Sequence, residues 1–334
     1  MIPDTMRVAR LHGTADLRVE TVPVPRPGPD EVLVRIEACG ICPTDARKYA
    51  IGMDHGDYPL NPGHEWVGRV VAAGPDVDGL DPGTRVYGDT YAGYAEFATI
   101  AGRPDGWSHG ALPVGALPLE RAIFVEPLAD CLHAVRDQAQ VAAGSRVAVV
   151  GAGSMGLQLT AVAARVRARV LVVEPREDRR ALAKRLGADA TVGPEHWERT
   201  AAEWSGGTGP DAIVVTLGRG DIVAAAVAAC APGGRVVLFA GFGDEGLGRV
   251  DLNRLHYQEI ALVGSEWVGV PPHQRFERYD EAHELLAGGG LRLEELVSDR
   301  VGLDEAEAAL QAVGDQRSLK TILYPGGVAG ATRG

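Results

Sequence analysis

Two short segments of this 334-residue chain carry side chains suited to gripping a metal ion. One is Cys39-Gly-Ile-Cys42-Pro-Thr44-Asp45 and the other Pro62-Gly-His64-Glu65; a further carboxylate stands in Glu126-Pro-Leu. Thiolate sulfur, imidazole nitrogen and carboxylate oxygen are the donors that Zn²⁺ accepts. A catalytic zinc uses about three protein donors, leaving a position for water or a substrate oxygen. Spacing alone leaves the matter open. A cysteine in a β-rich region is as readily a buried thiol, a His-Glu pair is as readily a surface pair, and Cys39 competes with Cys42 for the sulfur position.

A second constellation is the turn Gly151-Ala-Gly153-Ser154-Met155-Gly156, set between the apolar run Arg146-Val-Ala-Val-Val and the helical spacing of Leu157 to Arg167. In a strand–turn–helix unit the first glycine permits a tight turn, the second lets a pyrophosphate approach the backbone, and the third allows close helix packing. The helix N-terminus adds free N–H groups for the phosphates. Glu174 ends the next apolar run, where an acid would accept hydrogen bonds from a ribose 2′-hydroxyl. Its charge would repel a 2′-phosphate, so NAD is expected over NADP. Arg176, Arg179 and Arg180 could reverse that preference; otherwise they form a solvated helix face.

The elements that position these groups fall into two textures. Residues 6–20 read as two short strands around a turn at His12-Gly13, and Glu31-Val-Leu-Val-Arg-Ile-Glu-Ala as a further strand. From 58 to 100 short apolar runs are broken by Gly74-Pro75 and Asp81-Pro82, with Arg103-Pro104 just beyond, which predicts a partly closed β-barrel. After Pro118 the pattern becomes alternating: a helix over Ala122 to Gln140, strands at 146–150, 170–173, 211–216 and 235–240, helices at 157–167, 178–186 and 222–230. Repetition at this interval predicts a parallel sheet covered on both faces. Helices are expected at 275–286 and 304–313, and Lys320-Thr-Ile-Leu-Tyr as a strand returning to the first domain. Cys131 and Cys230 fall on the helices and read as small buried hydrophobes.

Bulk properties narrow the class. Hydrophobic residues make up 46% and charged residues 23%, an ordinary globular profile, while 5% aromatics predict cores of Ala, Val and Leu. A formal charge of -12 argues against nucleic acid or an anionic membrane as partner. No run approaches the roughly 20 apolar residues that span a bilayer. Met1 to Arg10 has no basic-then-apolar leader pattern, and four cysteines make no disulfide framework, so a cytoplasmic, reduced chain is expected. Gly326 to Gly334 reads as a loose tail.

The chain resembles the medium-chain dehydrogenase/reductase superfamily, specifically its zinc-dependent alcohol and polyol (sorbitol/threonine dehydrogenase-like) members. The resemblance rests on Gly40-Ile-Cys42-x-Thr44-Asp45, Gly63-His64-Glu65, Asp81-Pro-Gly-Thr-Arg-Val, Gly93-Tyr-Ala-Glu-Phe, Glu126-Pro-Leu and Asn253-Arg-Leu-His-Tyr, and runs from Met6 to about Leu323. It implies an α/β chain: a GroES-like β-barrel catalytic domain from residues 1–127 and 272–334, and a doubly wound Rossmann domain over 128–271. It implies Cys42 and His64 as zinc ligands, oxygen ligation from Glu65 and Glu126 with one of them exchanging with water, and Asp45 orienting a ligand. Thr44 becomes the first carrier of the substrate proton, the alternative being a loop-capping hydroxyl.

Three departures from the family pattern carry consequences. Val86-Tyr-Gly-Asp-Thr-Tyr-Ala-Gly93 passes straight through where many members carry a four-cysteine lobe, so one catalytic zinc and no structural zinc is expected. Pro43 stiffens the ligand loop, and Arg47 replaces a relay histidine. The likeness to the polyol branch points to a small polar alcohol or ketone, a polyol, cyclitol or amino-cyclitol, with Tyr91, Trp66, His55 and Trp267 as pocket residues and a homodimer or homotetramer as assembly. The rival readings are a zinc-free NADPH-dependent enone or quinone reductase and a non-catalytic dinucleotide-binding protein.

Overall fold

The computed structural model describes residues 1–52, 58–102, 110–242, 247–267, 270 and 272–328. His55, Arg103-Pro104 and the last six residues of the expected tail lie outside the described residues. Strands β1 (Thr5–Gly13) and β2 (Asp16–Pro23) form an antiparallel hairpin. Its turn falls on Thr14-Ala15, with Ala15 at φ 54, two residues past the expected His12-Gly13 because the pairing continues to Gly13. β3 (Glu31–Ile41) buries Val32, Val34, Ile36, Cys39 and Ile41. The expected ligand loop is instead helix α1 (Pro43–Ile51), with Cys42 as its N-cap. Pro43 starts it because the fixed φ of proline suits the first helical position, and Asp45, three residues past the cap, accepts the Cys42 N–H at 3.2 Å. Then follow β4 (Glu65–Ala73), β5 (Arg85–Gly88), β6 (Phe97–Ala101), β7 (Leu112–Pro113) and the single turn α2 (Leu119–Ala122).

The long helix expected over 122–140 is divided. α3 (Val125–Leu132) runs into a π-helical turn, His133–Gln138. The wider turn lets His133 bond both Asp137 (2.9 Å) and Gln138 (3.1 Å), while Arg235 donates to the Gln138 carbonyl. Next come β8 (Arg146–Val150), α4 (Ser154–Arg165), β9 (Arg169–Val173), α5 (Glu177–Arg185), β10 (Ala190–Val192), α6 (Trp197–Trp204), β11 (Ala212–Val215), α7 (Gly220–Ala229), β12 (Arg235–Leu238), α8 (Leu252–Tyr257) and β13 (Ala261–Gly264). The six strands are all parallel, in the order β10-β9-β8-β11-β12-β13. Their apolar runs suit burial on both faces, and the order reverses between β8 and β11, where such sheets bind nucleotides.

The chain ends with α9 (Pro272–Ala287), β14 (Val297–Gly302), α10 (Ala306–Gly314) and β15 (Lys320–Tyr324). β15 lies antiparallel to β3, with Ile322 opposite Gly40, in a seven-stranded sheet ordered β14-β15-β3-β4-β5-β7, with β6 also on β3. The chain therefore forms two compact units, Met1–Glu126 with Pro271–Gly334, and Pro127–Val270. Among the described residues no helix is long and apolar enough to cross a membrane.

Candidate metal centre

Cys42 caps α1 directly after β3, and His64 and Glu65 open β4, whose Glu65 pairs with Gly40 of β3. Pairing of the two strands therefore brings together residues more than twenty apart in sequence. The Cys42 sulfur, a His64 ring nitrogen and a Glu65 carboxylate oxygen lie within 4.8 Å of one another. Asp45, 1% exposed, braces them: its carboxylate accepts the N–H groups of Cys42 and Gly63, each at 3.2 Å. Its Oδ1 faces His64 Nδ1 at 3.5 Å, an ion-pair separation, and that buried nitrogen has no hydrogen-bond partner among the described residues.

One member of the site was not foreseen. Lys320, the first residue of β15, forms a buried ion pair with Glu65. The two meet across Gly40, which β3 places between β4 and β15; a Cβ there would overlap the Glu65 carboxylate and lie 2.8 Å from the Lys320 ammonium. Burial pulls the Lys320 pKa down, but the Glu65 and Cys42 charges hold it above its ordinary value. Burial and the Glu65 charge push the Cys42 thiol up against the opposing His64. Burial would depress the His64 pKa, yet Asp45 and Cys42 hold it well above the usual range. With sulfur, nitrogen and oxygen donors converging, the cluster fits a divalent cation such as Zn²⁺.

Cys39 does not join the cluster. It is fully buried, its Sγ packs against Gly63 and Gly93, and burial raises its pKa far up. Gly63 (φ 87) is required there, since a Cβ would lie 2.5 Å from the Tyr94 ring and 2.8 Å from Cys39 Sγ. The Glu126 carboxylate also lies outside the three-residue group among the described residues.

In the other unit the glycine turn links β8 to α4. Gly151 (φ 104) adopts a backbone conformation that L side chains avoid, and a Cβ at Gly156 would overlap the Gly151 carbonyl. A Cβ at Gly153 would meet nothing, so the close approach it permits faces outward. Ser154 and Met155 open α4, with Ser154 buried and Met155 partly so. Glu174, 4% exposed, accepts N–H groups of Ala152 (2.8 Å) and Arg176 (3.0 Å), tying the strand end to the turn.

Residues 28–117 match the alcohol dehydrogenase GroES-like domain and residues 151–288 the zinc-binding dehydrogenase domain. Bovine (Bos taurus) sorbitol dehydrogenase is 30% identical over 94% of this chain and 94% of its own length. The chain belongs to the zinc-dependent medium-chain alcohol and polyol dehydrogenases. L-Threonine 3-dehydrogenase of Pyrococcus furiosus is 29% identical, covering 90% of this chain and 93% of that enzyme. A Sinorhizobium meliloti 1021 structure bound to NADP superposes with a TM-score of 0.86 at 27% identity, over 97% of this chain and 100% of that one. This protein is thus an NAD(P)-dependent alcohol dehydrogenase, with a GroES-like domain and a parallel-sheet nucleotide domain.

Other expected positions of the dehydrogenase separate by environment. Thr44 is exposed on the first turn of α1. Trp66 is core, 1% exposed with its indole N–H on the Thr90 carbonyl, so it cannot line an open pocket. Trp267 is likewise buried, against His133. Tyr91 is 45% exposed with its ring 5.1 Å from that of His64. Arg179 is buried beside Glu174 and does not belong to a solvated face; Arg176 is paired with Asp178, and Arg180 donates to the Glu174 and Pro175 carbonyls. Lys320 carried one sequence signal, a lone cation opening an otherwise apolar terminal strand.

Proposed function

We propose that this dehydrogenase carries one catalytic zinc on Cys42, His64 and Glu65 and moves hydride between NAD and a secondary hydroxyl of a small polyol-type substrate. The convergence of the three donors within 4.8 Å carries the reading. Bound there, zinc supplies Lewis-acid polarisation that makes a hydroxyl proton easier to remove. Asp45 holds His64 and the Cys42 backbone in register from beneath, which limits reorganisation at the site. Lys320 holds one Glu65 oxygen, leaving the other free for the metal side. Thr44 Oγ, exposed two residues past Cys42, takes the substrate proton, since a hydroxyl both donates and accepts. Arg47, whose guanidinium has donors but no acceptor, passes no proton onward. Glu126, outside the donor group, is assigned a place beside the site and not among the ligands.

NAD is favoured because the buried Glu174 carboxylate stands at the ribose end of the fingerprint while the exposed Arg176 is already paired and Arg180 is bonded to backbone. Zinc analysis of the purified protein, with a polyol screen under NAD and NADP, tests the reading; a protein without zinc that gains no turnover when supplied with it overturns it. Glu174→Ala should weaken NAD about 10-fold or more while leaving NADP binding less affected, as coenzyme titration would register.

A further inference from the structure

We propose that Lys48 determines substrate specificity, its ammonium receiving an anionic substituent, phosphate or carboxylate, on the alcohol that the metal centre oxidises. This rests on the dehydrogenase reading above. Lys48 projects from α1, the helix that Cys42 caps, and its Nζ stands 3.5 Å from the centroid of the Tyr91 ring. That ring in turn stands 5.1 Å from the His64 imidazole, so the ammonium is one aromatic ring away from the metal centre.

A cavity of about 420 Å³ opens at this place, with Asp45, Lys48, Asn61, Pro62 and Tyr91 in its wall. The volume is within the range of small-molecule sites, roughly 300–1,000 Å³. Most of the remaining wall is apolar, from Leu11, Leu17, Leu60 and Leu310. Among the described residues three charged groups line it. Arg10 is engaged by Asn61 Oδ1 at 3.2 Å and by Glu20 at 3.6 Å. Asp45 is spent on Cys42, Gly63 and His64. Lys48 has no carboxylate or hydrogen-bond acceptor among the described residues; its only contact of this kind is the Tyr91 face. A ring face returns part of the solvation that a half-buried ammonium loses, but it does not neutralise the charge. Burial accordingly pulls the Lys48 pKa down, with Asp45 and Cys42 opposing. An incoming anion would restore the lost interaction as a charge-assisted hydrogen bond, and a compact ammonium accepts phosphate and carboxylate alike.

The test uses zinc-loaded enzyme with NADH for calorimetry and with NAD for turnover, and three probes: D-sorbitol, D-sorbitol 6-phosphate and D-gluconate. At least one anionic probe should bind more tightly than sorbitol. Lys48→Met should reduce that preference about 10- to 100-fold, the range of a lost charge-assisted bond, chiefly through KM, and Lys48→Arg should restore most of it. Preference for the phosphate alone or the carboxylate alone identifies the substituent. Zinc content of each variant reports that the site is intact. Equal binding of all three probes, or a preference that survives Lys48→Met, overturns the proposal. Anion preference in calorimetry without turnover of any probe would instead sink the dehydrogenase reading while supporting Lys48 as an anion site.

Discussion

The glycine turn and the donor cluster are built on opposite principles. The turn works through backbone: it lies within six consecutive residues, and its specificity is the absence of side chains at Gly151, Gly153 and Gly156. The cluster works through side chains delivered by three separate stretches, the β3–α1 junction, the start of β4 and the start of β15. Adding atoms should therefore damage the first, and removing donor atoms the second. Gly40 joins the two logics, because the Glu65–Lys320 pair exists only where a strand residue has no Cβ.

The sharpest break of that contrast is loss of a donor. Cys42→Ser or His64→Ala should cost zinc and on the order of 10³-fold or more in kcat/KM, with NAD binding retained; metal analysis and coenzyme titration on the same sample would separate the two. Lys320→Met should come next. In protein stripped of zinc it leaves the buried Glu65 charge uncompensated, at a cost of about 3–5 kcal/mol in urea unfolding, and adding Glu65→Gln should recover most of it. A double variant no more stable than the single one would show that the pair is not what Lys320 contributes.

Gly156→Ala reverses the expectation for Cys42→Ser. The added methyl overlaps the Gly151 carbonyl, so coenzyme binding should fall and stability drop by about 1–3 kcal/mol, with zinc content unchanged. The smallest effect concerns Arg146 and Asp211 in the nucleotide unit, where the Arg146 hydrogen bond holds the Asp211 carboxyl below its ordinary value despite partial burial. A depressed folded pKa stabilises at pH values above the unfolded aspartate pKa of about 3.9, and that stabilisation is lost as pH falls below it. Because Asp211 is substantially exposed, Asp211→Asn should cost only about 0.5–1 kcal/mol at pH 7 and nothing near pH 2, measured by denaturant midpoints across that interval.

Much of this was legible before any coordinates. The alternation of strand and helix after residue 140 and the Gly151–Gly156 turn with Glu174 are local patterns, and hydrophobic periodicity and turn chemistry act over a few neighbours. The departures have tertiary causes. The ligand loop expected at Pro43 is helix α1, since a helix this short shows itself mainly at its cap, and the helix after Ala122 changes to a π-turn where His133 and Arg235 impose their own hydrogen bonds. The two candidate cysteines were equivalent by residue type; packing against Gly63 and Gly93 is what takes Cys39 out of the cluster.

By itself the sequence determined which donors exist, which turn could cradle a dinucleotide, and, to within a few residues, where β8, β9, β11, β12, α4, α5 and α7 lie, since all of these depend on residue type and short-range spacing; β10, α6, α8 and β13 were not read from it. Only the tertiary structure decided which donors meet, that Glu126 lies outside their group, and that Lys320 stands against Glu65. Those outcomes depend on strand register, which pairs Gly40 with Glu65 on one side and Ile322 on the other. Register is set by the burial of whole sheet faces, a property of the assembled core that no short stretch of residues contains.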